Sequence, residues 1–515
     1  MDNMEGLSPH KDNKFRSLIT QVLAALSSAV IMFNLAETNA LMSVVNSKLK
    51  INKANGTETF FITDEESSWY SSLHSLMHIA GSLLAGYLQE RCGRKKTMLL
   101  SSVPQAAGCY LLYCSSSPMH LYLSSILVGV GAALGEVPVA TYISETASSK
   151  FRGRLFFFTK FGYGLGALFL FFLDSYLNWR TLALISTICP LLATCYLLLI
   201  PETPLWLLSK GRHQDALESL SWLRGWVPTN LVSEEFSKLQ QYIKDSKKLG
   251  KSKTKYLPVS TISDEEKVTR KNKSWSGFKI LLTHEFLQPY KIVTATFFLS
   301  YILSLKIVKP YLIVVLNRFE KDIKSSRILA ISSFGQILGA VTMLLTINTI
   351  GKRKLIFWTF SGSSICLALF GLYALLHNTY GFQQSWILYV IFTLIYYLTG
   401  YAIGGMPWYI CGELYPQKIR GMASGISATT GYLMIFVLVK TYFKMEALFD
   451  LPYLFFFYAI IGSLGTVYLY FALPETENKS LEEIEKVFKN KKKSSIIKNE
   501  LVDGKMQKSF LNGNK

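Results

Sequence analysis

Three landmarks occur twice along the chain, in the same order. Gly86-x-x-x-Glu90-Arg91-x-Gly93-Arg94-Lys95 returns as Asn348-x-x-Gly351-Lys352-Arg353. Glu145 followed by Arg152-Gly153 returns as Glu413 followed by Arg420-Gly421. Pro201-Glu202-Thr203 returns as Pro474-Glu475-Thr476. The offsets are 258 (351 − 93), 268 (413 − 145) and 273 (474 − 201) residues. A unit of roughly 200 residues is therefore duplicated head to tail, the mark in an apolar chain of a two-bundle membrane carrier.

Composition supports a membrane setting. The 515 residues are 50% hydrophobic and 17% charged, against about 25% charged in soluble domains. Mean hydropathy is +0.27. A net charge of +20 raises the question of nucleic acid. The basic residues, however, cluster in short loops and tails beside apolar runs, where they set orientation, so no nucleic-acid partner is expected. The seven cysteines (Cys92, Cys109, Cys114, Cys189, Cys195, Cys366, Cys411) form no CxxC and read as buried thiols. No cleavable signal peptide is read in the polar first 17 residues. No Walker A sequence is present and no cofactor is expected.

Twelve apolar segments reach the roughly 20 residues that a spanning helix needs. They fall near 18–45, 68–89, 97–115, 119–146, 155–177, 180–200, 287–316, 325–349, 354–377, 385–411, 421–444 and 451–473. The expected fold is all-α, with twelve transmembrane helices in two pseudo-symmetric six-helix bundles. The expected domains are a cytosolic tail at 1–17, bundles at 18–200 and 287–473, a cytosolic linker with short helices at 201–286, and a cytosolic tail at 474–515. Segment 287–316 is interrupted by Lys306 and Lys309. Loops holding Arg91, Arg94, Lys95, Lys96, Lys150, Arg152, Arg154, Lys352, Arg353, Lys354, Lys418 and Arg420 are read as cytosolic, as are both termini. Asn55-Gly56-Thr57 is a glycosylation sequon on the expected outside. The Lys-rich and Ser-rich stretch 245–274 and the tail 487–515 read as disordered.

At these residues the chain resembles the sugar porter family of the major facilitator superfamily, and within it the insect facilitated trehalose transporters. Pro201-Glu202-Thr203-Pro204, Trp222-Leu223-Arg224-Gly225, Pro407-Trp408, Glu413-Leu414-Tyr415-Pro416 and the run from Pro474 to Ile484 carry the resemblance. It implies a plasma-membrane carrier, functional as a monomer among membrane lipid, that moves a small polar solute without chemical catalysis. The default substrate it implies is trehalose or a hexose. It also implies a cytosolic gate of ion pairs drawn from Glu90, Arg91, Arg94, Glu145, Arg152, Lys352, Arg353, Glu413 and Arg420. Two departures, Asn348 for an acid and Ser125 for an arginine, are expected to weaken that gate. Gly404-Gly405-Met406-Pro407 interrupts a helix and reads as a hinge, because proline cannot donate the helical bond.

The substrate site departs further from the family. Trp408 matches the family's tryptophan, but Lys160 stands where it has a sugar-binding glutamine, and its paired-glutamine motif is absent around Phe297–Tyr311. Lys160 and Lys306 are read as facing the central cavity, with Glu136 as counter-charge ahead of Glu37. Lys309 is read as snorkelling to the interface. Such a cavity suits a zwitterion or an organic anion as an alternative to sugar. A sensor that binds without turnover is a third reading. His74 and His78, at i and i+4, suit a metal by spacing, but no third ligand is apparent and a packed polar face is the reading.

Overall fold

The computed structural model describes residues 9–51, 60–147, 155, 157–241, 284–319, 325–346, 350–415 and 420–474. Asn55, Arg152, Asn348 and the stretches 245–274 and 487–515 lie outside them. The first half holds six long helices: α1 (Pro9–Ile51), α2 (Asp64–Arg91), α3 (Arg94–Tyr113), α4 (Pro118–Thr146), α5 (Phe157–Asp174) and α6 (Trp179–Leu199). Short α7 (Pro204–Ser209) and α8 (His213–Leu223) follow. The second half begins with a broken span, α9 (His284–Leu303) and α10 (Leu312–Leu316). Next come α11 (Ser325–Thr346), α12 (Lys352–Tyr380), a second broken span of α13 (Ser385–Leu398) and α14 (Met406–Leu414), α15 (Arg420–Phe449) and α16 (Leu451–Ala472). The twelve spans form two bundles, and no strand occurs among the described residues.

Nine stretches of the described residues are long and apolar enough to cross a membrane by themselves. Helices α2 and α3 fall short on apolarity, yet both pack along α4 inside the first bundle. Polar side chains of α2 face protein: Ser67, Ser71, Ser72, His74 and His78 are all buried. A capping box starts α2, with the Glu66 amide donating to Thr63 Oγ1 and the Thr63 amide donating to Glu66 Oε2. Asp64, Glu65 and Glu66 in the first turn complement the helix dipole.

Glycines set the closest helix crossings. A Cβ on Gly162 would lie 2.1 Å from Ala29 O, and one on Gly166 2.2 Å from Phe33 O, so α5 rides against the backbone of α1. In the second half, Gly339 and Gly400 do the same between α11 and the start of the break after α13. Backbone contact of this kind is how helices associate where hydrophobic burial gives no driving force.

The two bundles meet most tightly at the end opposite the basic loops, called here the far end. Asn46 of α1 donates from Nδ2 to Ser71 Oγ and to Pro310 O, at 2.9 and 3.0 Å. Asn317 Nδ2 donates to Ser47 Oγ at 3.1 Å. Lys440 of α15 bonds Ser68 Oγ at 2.8 Å, reaches Glu65 Oε1 at 3.3 Å, and lies 4.0 Å from the Trp69 ring centroid. Ser326 of α11 donates to Asp174 of α5.

Two expectations change. All seven cysteines are free, as read, but Cys92, Cys114 and Cys195 are exposed, because their helix faces and ends are not covered by protein. Ser125 lies in the far-end half of α4, donating to Tyr70 O at 2.6 Å, too distant from the basic loops to weaken a gate there. Replacing Gly166 by leucine should overpack α1 against α5 and destabilise the protein by about 1–3 kcal/mol. A lowered melting temperature in detergent checks this, and an unchanged one would contradict the close crossing.

Candidate functional site

Both broken spans bond the first bundle, the first through Pro310 O to Asn46 and the second through Gly404 O to Lys160. In the first, Leu303 ends α9 and Leu305 takes φ +56°, a left-handed conformation that strains a branched residue. The Lys306 amide donates to Tyr301 O, and the freed Leu303 O accepts from Ser363 Oγ at 2.5 Å. In the second, one π-turn (Thr399–Ile403) leads through Gly404 and Gly405 into α14, with Pro407 in its first turn. Proline is tolerated there because a first-turn amide has no helical acceptor. Ile403 O accepts from Ser300 Oγ at 2.6 Å, and Gly404 O accepts from Lys160 Nζ at 2.9 Å.

These breaks and the facing helices build one polar site between the halves. Glu136 Oε2 accepts from Tyr432 OH of α15 at 3.0 Å and lies 3.0 Å from His78 Nε2 of α2. The His78 ring stacks on Tyr432 with centroids 4.2 Å apart. Trp408 is 43% exposed, placed edge-on to Phe297 at 5.1 Å and 6.4 Å from the Tyr432 ring. Lys306 is exposed, with its ammonium 4.9 Å from the centre of the Tyr301 ring. Glu136 and Lys306 both lie within electrostatic reach of Lys160. The site can therefore offer an aromatic face, hydroxyl donors and ammonium groups to a polar solute.

The four sequence-read residues Lys160, Trp408, Lys306 and Glu136 are thus brought together, but their pairing differs from expectation. The direct partners of Glu136 are His78 and Tyr432, while Lys160 is held by a backbone carbonyl. Lys309 does not snorkel. It points between the halves, 3.3 Å from Tyr163 OH and over the rings of Tyr163 and Tyr396 at 4.7 and 5.4 Å. Glu37 is fully buried beside Ser186 and Cys189 of α6, away from the lysines. Reading the sequence missed Tyr432, Tyr301 and Tyr163. Only His78 was flagged, and for its spacing to His74 rather than for Glu136.

Of the residues read as a gate, Arg94 and Glu145 meet at the basic end. Arg94 bonds Glu145 Oε1 at 2.8 Å, joining α3 to α4, and Glu145 Oε2 accepts from Thr203 Oγ1 at 2.6 Å. Glu202 accepts from the backbone amides of Arg94 and Lys95 at the start of α3. The Glu90 side chain stands exposed outside this cluster, and Arg91 lies over the Tyr87 ring at 4.7 Å. In the second half Arg353 donates to Tyr470 O at 2.6 Å, and Lys352 opens α12 beside it. The side chains of Glu413 and Arg420 lie outside the described residues. Among the described residues no group of three His, Cys, Asp or Glu side chains converges to hold a metal.

The profile of the "Sugar (and other) transporter" family matches residues 20–488, so the chain belongs to that family. Facilitated trehalose transporter Tret1 of Polypedilum vanderplanki is 27% identical over 91% of this chain and 88% of that protein. Tret1 of Bombyx mori is 26% identical over 94% of this chain and 90% of the other. The Drosophila pseudoobscura pseudoobscura Tret1 is 26% identical, but the chain spans only 51% of its length. The inward-open structure of the E. coli xylose transporter XylE matches with a TM-score of 0.67 at 17% identity, over 92% of this chain and 99% of that one. That likeness establishes the major facilitator fold.

Burial raises the Glu202 carboxyl above its ordinary 4.5, opposed by backbone bonds from Thr203, Lys95 and Arg94. In the window just above 4.5 the folded protein holds this proton while the unfolded chain has released it. Stability from this group is therefore present at low pH and lost as pH rises through that window. Glu202→Gln should flatten that slope in melting curves recorded from pH 4.5 upward. Identical slopes in the two proteins would contradict the assignment.

Proposed function

We propose that the chain carries trehalose or a hexose across the plasma membrane by alternating-access facilitated diffusion. Supporting this is one observation above the others: a polar site between the two bundles, bounded by two broken helices, with Trp408 part-exposed beside it. Broken helices are tolerable in a membrane only where protein or a water-lined cavity surrounds them. The relatives are trehalose transporters, and that substrate comes to this chain through family membership and the aromatic platform.

In this reading residues 18–200 and 287–473 are the two units that rock about the site. The far end is extracellular and closed in this structure, and the basic loops and both termini are cytosolic. Asn55 carries the glycan. The far-end bonds of Asn46, Asn317 and Lys440 part when the carrier opens outward, and the Gly404–Gly405–Pro407 break absorbs the bending. Single bonds of this kind contribute about 0–1 kcal/mol each, so they can be exchanged in every cycle. The carrier acts as a monomer within lipid.

The test is tracer uptake of trehalose and glucose into proteoliposomes, with and without a pH gradient. Saturable uptake unaffected by the gradient is expected. Trp408→Ala should lower it about tenfold or more by removing the ring platform, with reconstitution equal to wild type. Absence of flux for every solute offered would overturn the carrier reading. Acceleration by an inward proton gradient would replace facilitated diffusion with symport.

A further inference from the structure

We propose that the preferred solute is a sugar acid, a polyol bearing a single carboxylate, and that Lys306 is the residue that selects it. The proposal rests on the carrier reading above and replaces its neutral-sugar default with an acid. Three ammonium groups enter the space between the bundles, those of Lys160, Lys306 and Lys309. One carboxylate in that space, Glu136, answers them, and its Oε2 is already engaged by Tyr432 and by His78 at 3.0 Å each.

The three lysines are not equivalent. Lys160 is committed to Gly404 O at 2.9 Å, where it satisfies a carbonyl left by the helix break. Lys309 is committed to Tyr163 OH and to two aromatic faces. Lys306 touches only the face of Tyr301, is exposed, and has no carboxylate or hydrogen-bond acceptor with it among the described residues. Glu136 acts on it through space without bonding it, and an ammonium at membrane depth with no bonded counter-ion carries a cost that water in the cavity offsets only in part. An anionic solute removes that cost when it binds, and a neutral sugar does not.

Charge favours an anion over a neutral solute. Three ammonium groups against the carboxylate of Glu136 leave positive charge in excess, and a carboxylate on the solute offsets part of it. The remaining groups suit the polyol body of such a solute. Trp408 offers a ring face, and Tyr432 sits beside the carboxylate–imidazole pair as a hydroxyl. Lys306 is carried by the non-helical turn after Leu305, whose left-handed backbone holds it off the α9 helix axis and toward the open side. A charge-assisted bond made by the acid and absent for its neutral parent is the physical origin of the selectivity.

The test uses the full chain in proteoliposomes, with radiolabelled glucuronate, gluconate, glucose and trehalose as probes. Wild type is expected to take up glucuronate or gluconate saturably and faster than glucose. Lys306→Gln should lower acid uptake about tenfold or more and reduce the ratio of acid to neutral uptake, whereas Lys306→Arg should retain most of both. Monodisperse elution of each variant in detergent guards against misfolding. Uptake of glucose or trehalose without uptake of either acid would overturn the assignment while leaving the carrier reading intact. Acid uptake unaltered in Lys306→Gln would overturn the role of Lys306. No uptake of any probe would overturn both the assignment and the carrier reading.

Discussion

A helix interrupted inside hydrocarbon leaves backbone carbonyls that lipid cannot satisfy, and this constraint organises the centre of the molecule. Four freed carbonyls are answered by side chains from other elements. Ser363 reaches Leu303 O, Ser300 reaches Ile403 O, Lys160 reaches Gly404 O, and Asn46 reaches Pro310 O. The first two bonds lie within the second bundle and travel with it. The last two cross between bundles, so the broken spans are fully satisfied only in this docking of the halves. Rocking must release Gly404 O and Pro310 O to water or to new donors. The breaks and the relative position of the bundles are thereby coupled by hydrogen-bond accounting rather than by any dedicated linkage.

The same accounting explains why a lysine is acceptable at position 160. A neutral amide there could meet a sugar hydroxyl, but the ammonium instead meets a carbonyl and shares a field with Glu136. Hydrogen bonding to a backbone acceptor and proximity to a carboxylate reduce the penalty of placing the charge away from bulk water. Lys309 achieves a comparable result with a phenol and two ring faces. Aromatic residues thus act in this site as partners for cations as well as platforms for a solute. The buried tyrosines of the second bundle extend the pattern, with Tyr311 stacked on Tyr442 at 5.0 Å close to the far-end contacts.

Apolar length and the duplicated landmarks made the twelve spans and two bundles legible, because hydrocarbon thickness acts on every span alike. Arg94 and Glu145 were both legible as motif members, since repeated motifs mark each, but their pairing with each other was not specified. Glu202 and Thr203 stood inside a quoted motif, but their link to α3 and to Glu145 depends on a chain reversal that no local pattern encodes. The bond between Glu136 and Tyr432 joins positions 296 residues apart, beyond any periodicity argument. Lys309 was misjudged because it lies later in the segment than Lys306, and a lysine nearer the segment's end is ordinarily within reach of the interface. The chain instead unwinds between them and sends each to a different wall of the site. Cys195 was misjudged because apolar surroundings in sequence do not distinguish a face toward protein from one toward lipid, and Cys92 and Cys114 because they sit at helix ends that no protein covers.

The distribution of bonds bears on how the halves switch. Arg94, Glu145, Glu202 and Thr203 all belong to the first half or the linker that follows it. That cluster stiffens the basic end of one bundle and does not itself hold the two bundles together. Among the described residues, the bonds that cross between them sit at the far end, through Asn46, Asn317, Lys440 and Ser326, and at the central site, through Lys160, Lys309 and Tyr432. A solute can shift the balance of states only through interactions that differ between them. The central bonds meet that condition, since a bound solute competes for Tyr432 and for the field of Lys160 while lying out of reach of the far-end bonds. Occupancy of the centre is therefore the step that reweights contacts spread across the whole interface, each of them weak enough to yield.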